Sequence, residues 1–218
     1  MRGRAAPSPA ARRARHAVLA VATIILAVLA LDRIFPPDLS RLHATGVEVF
    51  DRDGRTLSVL PAPGGVWRLR TTEADVPATL TDLLVAAEDR RFRGHPGVDP
   101  VALSRAVVQW VRAGRVVSGG STLTMQAARL LEPRPRTLRS KAIEIFRALQ
   151  LEARFSKDEI LGIWLTLAPQ GGNIEGIRAG SLAWFGRPAA RLDAAEAALL
   201  VALARRPASL RPDRHPEA

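Results

Sequence analysis

Glu88-Asp89-Arg90-Arg91-Phe92-Arg93-Gly94-His95-Pro96-Gly97-Val98-Asp99 closes a stretch in which apolar residues recur at helical spacing. On a helix over 79–92, Leu84 lies four residues before Glu88, Val85 three before it and Phe92 four after it. That register puts Glu88 in the apolar stripe and leaves Asp89 outside it. Burial favours the protonated form of a carboxylate unless a cation or donor compensates, which is how such a group becomes a useful base near neutral pH. Arg91 and His95 stand close enough in sequence to offset part of that effect. A glutamate salt-bridged to Arg91 at the core edge fits the same residues.

Downstream, Gly119-Gly120-Ser121-Thr122-Leu123-Thr124-Met125-Gln126 reads as a glycine turn running into a helix. Ser121 or Thr122 can cap it, and free amides with the helix dipole would hold an anion there. Arg129 follows about two turns along. An ordinary capped helix start fits this stretch as well. In Arg139-Ser140-Lys141-Ala142-Ile143-Glu144, the i,i+3 pair Lys141 and Glu144 reads as a surface ion pair beside the stripe Leu138, Ala142, Ile145, Leu149. Two carboxylates on different helices flanking a cleft suit glycosyl-transfer chemistry. A base and an anion cradle together point to an enzyme with a charged, phosphorylated substrate.

The chain has 218 residues, no cysteine and a net charge of +11, with Lys141 and Lys157 its only lysines. Disulfides, cysteine-bound metals and a thiol nucleophile are thereby excluded. A basic surface suits nucleic acid, anionic headgroups or a diphosphate, but without tyrosine a base-stacking surface is poorly supported. No nucleic-acid partner is expected. Neither Ser-x-x-Lys nor Gly-x-Ser-x-Gly occurs, and His16, His43, His95 and His215 lack ligand spacing.

Organisation follows from composition. Residues 1–15, rich in Arg, Ala and Pro, read as a disordered cytoplasmic tail. Residues 16–35 read as a transmembrane anchor, with a cleaved signal peptide as the alternative. Arginines before the apolar run predict a cytoplasmic N-terminus and an exported C-terminal domain. Residues 36–76 form a juxtamembrane segment with a hairpin over 46–60, turned by Asp51-Arg52-Asp53-Gly54. From 77 to 211 the pattern is helical, with Asp99-Pro100, Ser156/Glu159 and Asp193/Glu196 as helix starts. Residues 212–218 are a tail.

Taken together, these residues resemble the glycosyltransferase family 51 domain, the peptidoglycan glycosyltransferase of penicillin-binding proteins. Glu88–Asp99 matches its first motif, Gly119–Gln126 its second, and Lys141 with Glu144 its third. Lys157, Ile160 and Leu161 fit the fourth, and Gly176-Ile177 through Trp184-Phe185-Gly186 the fifth. Arg147–Glu152 and Ser209–Arg214 resemble the 1C branch in particular. The resemblance implies a mainly α, lysozyme-like head with a smaller membrane-embedded jaw, a short N-terminal β-hairpin and one N-terminal transmembrane helix. It implies polymerisation of lipid II onto a nascent glycan strand at the bacterial inner membrane, with inversion and release of undecaprenyl diphosphate. By that resemblance Glu88 is the base and Glu144 assists at the diphosphate or a metal. Arg105, Arg129, Arg136 and Lys141 neutralise phosphate, and Ser121, Thr122 and Gln126 hold sugar or phosphate. A divalent cation, Mg or Mn, and other cell-wall synthesis proteins are implied partners, and no organic cofactor is.

This chain departs from the pattern at Gly162 and Thr166, where the fourth motif has Glu and Asn. Ser140 and Arg129 replace a usual Arg and Lys. No transpeptidase domain lies within these residues, so the chain is a stand-alone polymerase or part of a longer protein. The alternatives are a lytic glycan-cleaving enzyme and a catalytically weak membrane-anchored scaffold.

Overall fold

Helix α7 (Lys157–Leu167) is apolar almost all round, and every residue from Ile160 to Leu167 is buried. A helix with no polar face belongs at the centre of a core, and the others are arranged about it. The structure, a computed structural model, describes residues 9–114 and 120–214. It divides into two units, residues 1–37 and 38–218.

The first unit is a single helix, α1 (Pro9–Ile34). Residues 9–15, expected to be disordered, are helical, because alanine and arginine are good helix formers and no break separates them from the apolar run. Residues 1–8 lie outside the described residues. Arg15–Ile34 is 20 residues long with mean hydropathy 2.3, long and apolar enough to cross a bilayer.

The second unit begins with α2 (Ser40–His43), the antiparallel hairpin β1 (Val47–Phe50) and β2 (Thr56–Leu60), and the short β3 (Trp67–Arg68). Asp51 Oδ1 accepts from the amides of Asp53 and Arg55, which closes the expected turn. Then come α3 (Ala78–Glu88), α4 (Pro100–Ala113), α5 (Leu123–Leu131), α6 (Leu138–Glu152), α7, β4 (Ile174–Glu175), α8 (Ile177–Phe185) and α9 (Ala194–Arg205). β3 pairs in parallel with β4. Glu175 sits between Arg41 and Arg68, which clamp that pair at 2.8 and 2.6 Å. α5 packs against α6 and α7, and α3 against α9. Leu80, Leu84, Phe92, Leu123, Ile160, Leu165 and Leu200 form one apolar core across these contacts. The capping boxes at Ser156/Glu159 and Asp193/Glu196 are both present, and Asp99 caps α4 through the amides of Val101 and Ala102.

Two expected registers are corrected. α3 ends at Glu88, and Phe92 begins a separate 3-10 turn over Phe92–Gly94. The chain turns there because Asp89 is drawn inward to polar partners, so Asp89 is buried. On α6 the stripe Leu138, Ala142, Ile145, Leu149 is not the buried side. Leu138 is 91% exposed and Leu149 43%, while Ser140, Glu144, Ala148 and Leu151 are buried. Cations from α5 and from α6 itself satisfy Glu144, and that satisfaction decides the rotation of the helix.

Candidate active site

At the C-terminal end of α3, Glu88 has a side chain only 10% exposed. Its Oε2 accepts from Gln126 Nε2 at 3.0 Å, and Gln126 Oε1 accepts from Trp164 Nε1 at 3.1 Å. A core tryptophan on α7 thus fixes the amide on α5 that orients the glutamate. Arg205 Nε, from the last turn of α9, lies 3.0 Å from Glu88 Oε1.

Arg91 and His95, expected to offset the burial of Glu88, both serve other carboxylates. Arg91 makes a two-pronged pair with Asp99, through Nε at 3.0 Å and Nη2 at 2.6 and 2.8 Å. His95 Nε2 donates to Asp89 at 3.0 Å, and Asp89 Oδ2 also accepts the Leu123 amide at 2.9 Å. The carboxylate of Asp89 therefore occupies the N-terminus of α5, where its charge suits the helix dipole. Thr122 caps the same helix, accepting from the Met125 amide and donating to the Gly97 carbonyl at 2.5 Å. The expected cradle at this helix start is thus filled by Asp89 and Thr122. Gly119, part of the same expectation, lies outside the described residues.

A cluster of side chains supplies the anion-attracting charge instead. Lys141 Nζ donates to Ser121 Oγ at 2.5 Å and lies 3.3 Å from Glu144 Oε2. Arg129 approaches Glu144 Oε1 at 3.6 Å. Glu144 is therefore a buried carboxylate shared by two cations, not the exposed partner of one. Burial pushes the Lys141 ammonium below the ordinary lysine range, with Glu144 opposing that shift and Arg129 adding to it. Ser140, where the family has arginine, is buried at the start of α6 with its amide on Thr137 Oγ1.

Glu88 borders two cavities. One of about 380 Å³ is lined by Asp99, Arg105, Ser121 and Thr122 among others. The second, about 400 Å³, is lined by Gln126, Arg129, Arg134, Arg136, Trp164 and Arg205. The chain of contacts Ser121–Lys141–Glu144–Arg129 runs from the first to the second. Such a place can accept a proton at one carboxylate while guanidinium and ammonium groups hold an anion beside it. A divalent cation does not fit Glu144. The carboxylate already faces two cations, and among the described residues no group of three or more His, Asp or Glu is placed to hold a metal ion.

The departures in the fourth motif face elsewhere. Gly162 and Thr166 are four apart on α7, on one side of it, whereas Trp164 lies two residues from each and points the other way. Thr166 Oγ1 donates to the Thr71 carbonyl and accepts the Thr71 amide, at 3.1 and 3.0 Å. A Cβ at Gly162 would lie 3.3 Å from that carbonyl oxygen. Both residues serve the close approach of residues 71–72. Lys157 pins the 3-10 turn, donating to the His95 carbonyl at 2.6 Å with its Nζ 4.6 Å from the centre of the Phe92 ring. In the fifth motif, Gly176 has φ +86 and a Cβ there would lie 2.5 Å from the Thr166 carbonyl oxygen, so only glycine fits.

The sequence model of the transglycosylase family matches residues 53–218. The chain belongs to that family. It is 44% identical over 194 residues to penicillin-binding protein 1C of Escherichia coli K12, a match covering 89% of this chain and 25% of that protein. Penicillin-binding protein 1A of Aquifex aeolicus is 39% identical over 171 residues, 78% of this chain and 23% of the relative. Penicillin-binding protein 1B of Escherichia coli K12 is 37% identical over 173 residues, 77% and 20%. The chain spans about a quarter or less of the length of these relatives. The transglycosylase match covers the stretch from α3 to α9, within which every candidate residue lies. Asp89, Trp164 and Arg205 were not among the residues singled out from sequence. Arg205 could not have been, since one arginine among many carries no mark of the carboxylate it will meet.

Proposed function

We propose that this transglycosylase domain is a peptidoglycan glycosyltransferase that polymerises lipid II into glycan strands. The observation that carries the reading is one oriented carboxylate, Glu88, bordering two cavities that both carry cations. An enzyme joining two lipid-linked sugars needs that layout: one place for each and a base between them. Glu88 takes the proton of the acceptor hydroxyl as its oxygen bonds to the anomeric carbon of the growing chain. The bond from that carbon to the diphosphate breaks, the configuration inverts, and undecaprenyl diphosphate leaves with the bonding electrons. Gln126 and Trp164 hold Glu88 in line. Arg129, Arg136 and Lys141 neutralise the leaving diphosphate in place of a metal. Arg105 and Ser121 serve the neighbouring cavity, and Glu144 keeps Arg129 and Lys141 aimed. A lytic enzyme has no use for such a cation cluster.

Helix α1 anchors the protein in the bacterial inner membrane in this reading. The arginines preceding the apolar run hold the N-terminus in the cytoplasm and put the domain outside. Other cell-wall synthesis proteins are its natural neighbours there.

The test is polymerisation of labelled lipid II by detergent-purified protein beside Glu88→Gln. Long strands from the wild type, and a rate lower by at least about 100-fold from the variant, are expected from loss of a general base. Equal rates would overturn the role of Glu88. Lipid II bound without strands would favour a scaffold.

A further inference from the structure

The contact between Arg205 and Glu88 differs from the others at this site. Glu88 Oε1 is out of contact with solvent and receives no aligned hydrogen bond among the described residues, although Arg205 Nε lies 3.0 Å away. The oxygen is thus covered by a cation and held by charge alone. Its twin, Oε2, is taken by Gln126. Oε1 is therefore the atom left to accept a hydroxyl proton, and a hydroxyl reaches it only after Arg205 moves.

Arg205 is built to move. Its side chain is 62% exposed and springs from the last turn of α9, whereas Gln126 is fixed at its other end by Trp164. The cavity also offers it a destination. Arg129 and Arg134 there are each paired with a carboxylate, Glu144 and Glu132. An entering diphosphate brings negative charge within reach of Arg205, and phosphate oxygens bind a guanidinium through two parallel bonds.

We propose that Arg205 is a substrate-displaced cover on the base. It shields Glu88 Oε1 in the empty site and turns to the lipid diphosphate when the site fills, exposing the proton-accepting oxygen only in the loaded enzyme. This inference rests on the polymerase reading for its chemistry, but its first test does not need turnover.

Binding of undecaprenyl diphosphate in detergent micelles is measured by calorimetry for wild type, Glu88→Gln, Arg205→Ala and the double variant, with undecaprenol as the uncharged control. Arg205→Ala should bind about fivefold more weakly, through loss of a charge-assisted contact. Glu88→Gln should bind about threefold more tightly, because Arg205 no longer leaves an ion pair. That gain should shrink clearly in the Arg205→Ala background. A gain of equal size there means simple repulsion by Glu88 and overturns the proposal, as does unaltered binding by Arg205→Ala. In polymerisation, Arg205→Ala should raise KM with kcat little changed, and Arg205→Lys should restore much of KM. A fall in kcat alone would also overturn it. If the wild type makes no strands, the polymerase reading fails while the calorimetry still judges Arg205.

Discussion

Replacing Asp89 by Asn tests whether one buried carboxylate aligns the site. Its side chain is 5% exposed and takes two donors, His95 Nε2 at 3.0 Å and the Leu123 amide at 2.9 Å. Asparagine keeps the shape but has a single acceptor oxygen. With that oxygen at the Oδ2 position both bonds are kept, but the NH2 then stands at the Oδ1 position, 3.1 Å from His95 Nε2, so a buried donor faces a donor. A buried donor left without a partner costs about 1–3 kcal/mol. Losing the negative charge at the helix N-terminus adds about 0.3–1 kcal/mol. Together these give a destabilisation of about 1–4 kcal/mol, which at about 2–4 °C per kcal/mol lowers the melting temperature of a domain this size by roughly 3–16 °C. Thermal unfolding followed by tryptophan fluorescence reads this directly. Since Asp89 is the residue after Glu88 and ties it to α5, kcat for lipid II should fall more than KM rises. A variant melting within about 1 °C of wild type, with unchanged kcat, would refute the claim that Asp89 supports the site.

Two further predictions follow from the same geometry. Because burial holds Lys141 below the ordinary lysine range, it loses its proton at a lower pH than a free lysine does. The attraction for diphosphate is complete below that depressed pKa and fades as pH rises through it. Lys141→Arg stays charged throughout, so the alkaline limb of its kcat/KM profile should lie at higher pH than that of the wild type; coincident limbs would refute this. Thr166→Val strands the Thr71 amide and carbonyl, costing about 1–3 kcal/mol in chemical denaturation. Polymerisation per folded molecule should persist, and a matching loss of kcat would show that this face of α7 serves catalysis.

Much of the molecule was legible in its residues. The apolar run of α1, the Asp51–Gly54 turn and the caps at Asp99, Ser156 and Asp193 are local events, each decided by side chains a few positions apart. Spacing placed Glu88 in an apolar stripe and read Lys141 with Glu144 as a surface ion pair; their site roles came only from the five motifs taken together. What only the folded chain decided is which groups separated in sequence meet. The rotation of α6, the capture of the α5 N-terminus by Asp89, the service of Gly162 and Thr166 to residues 71–72, and the placing of Arg205 over Glu88 all depend on partners on other elements, 15 to 117 positions away. Helical periodicity records how much apolar surface a helix carries. It does not record which polar groups will find a counter-charge, and a buried carboxylate is stable only where one is found.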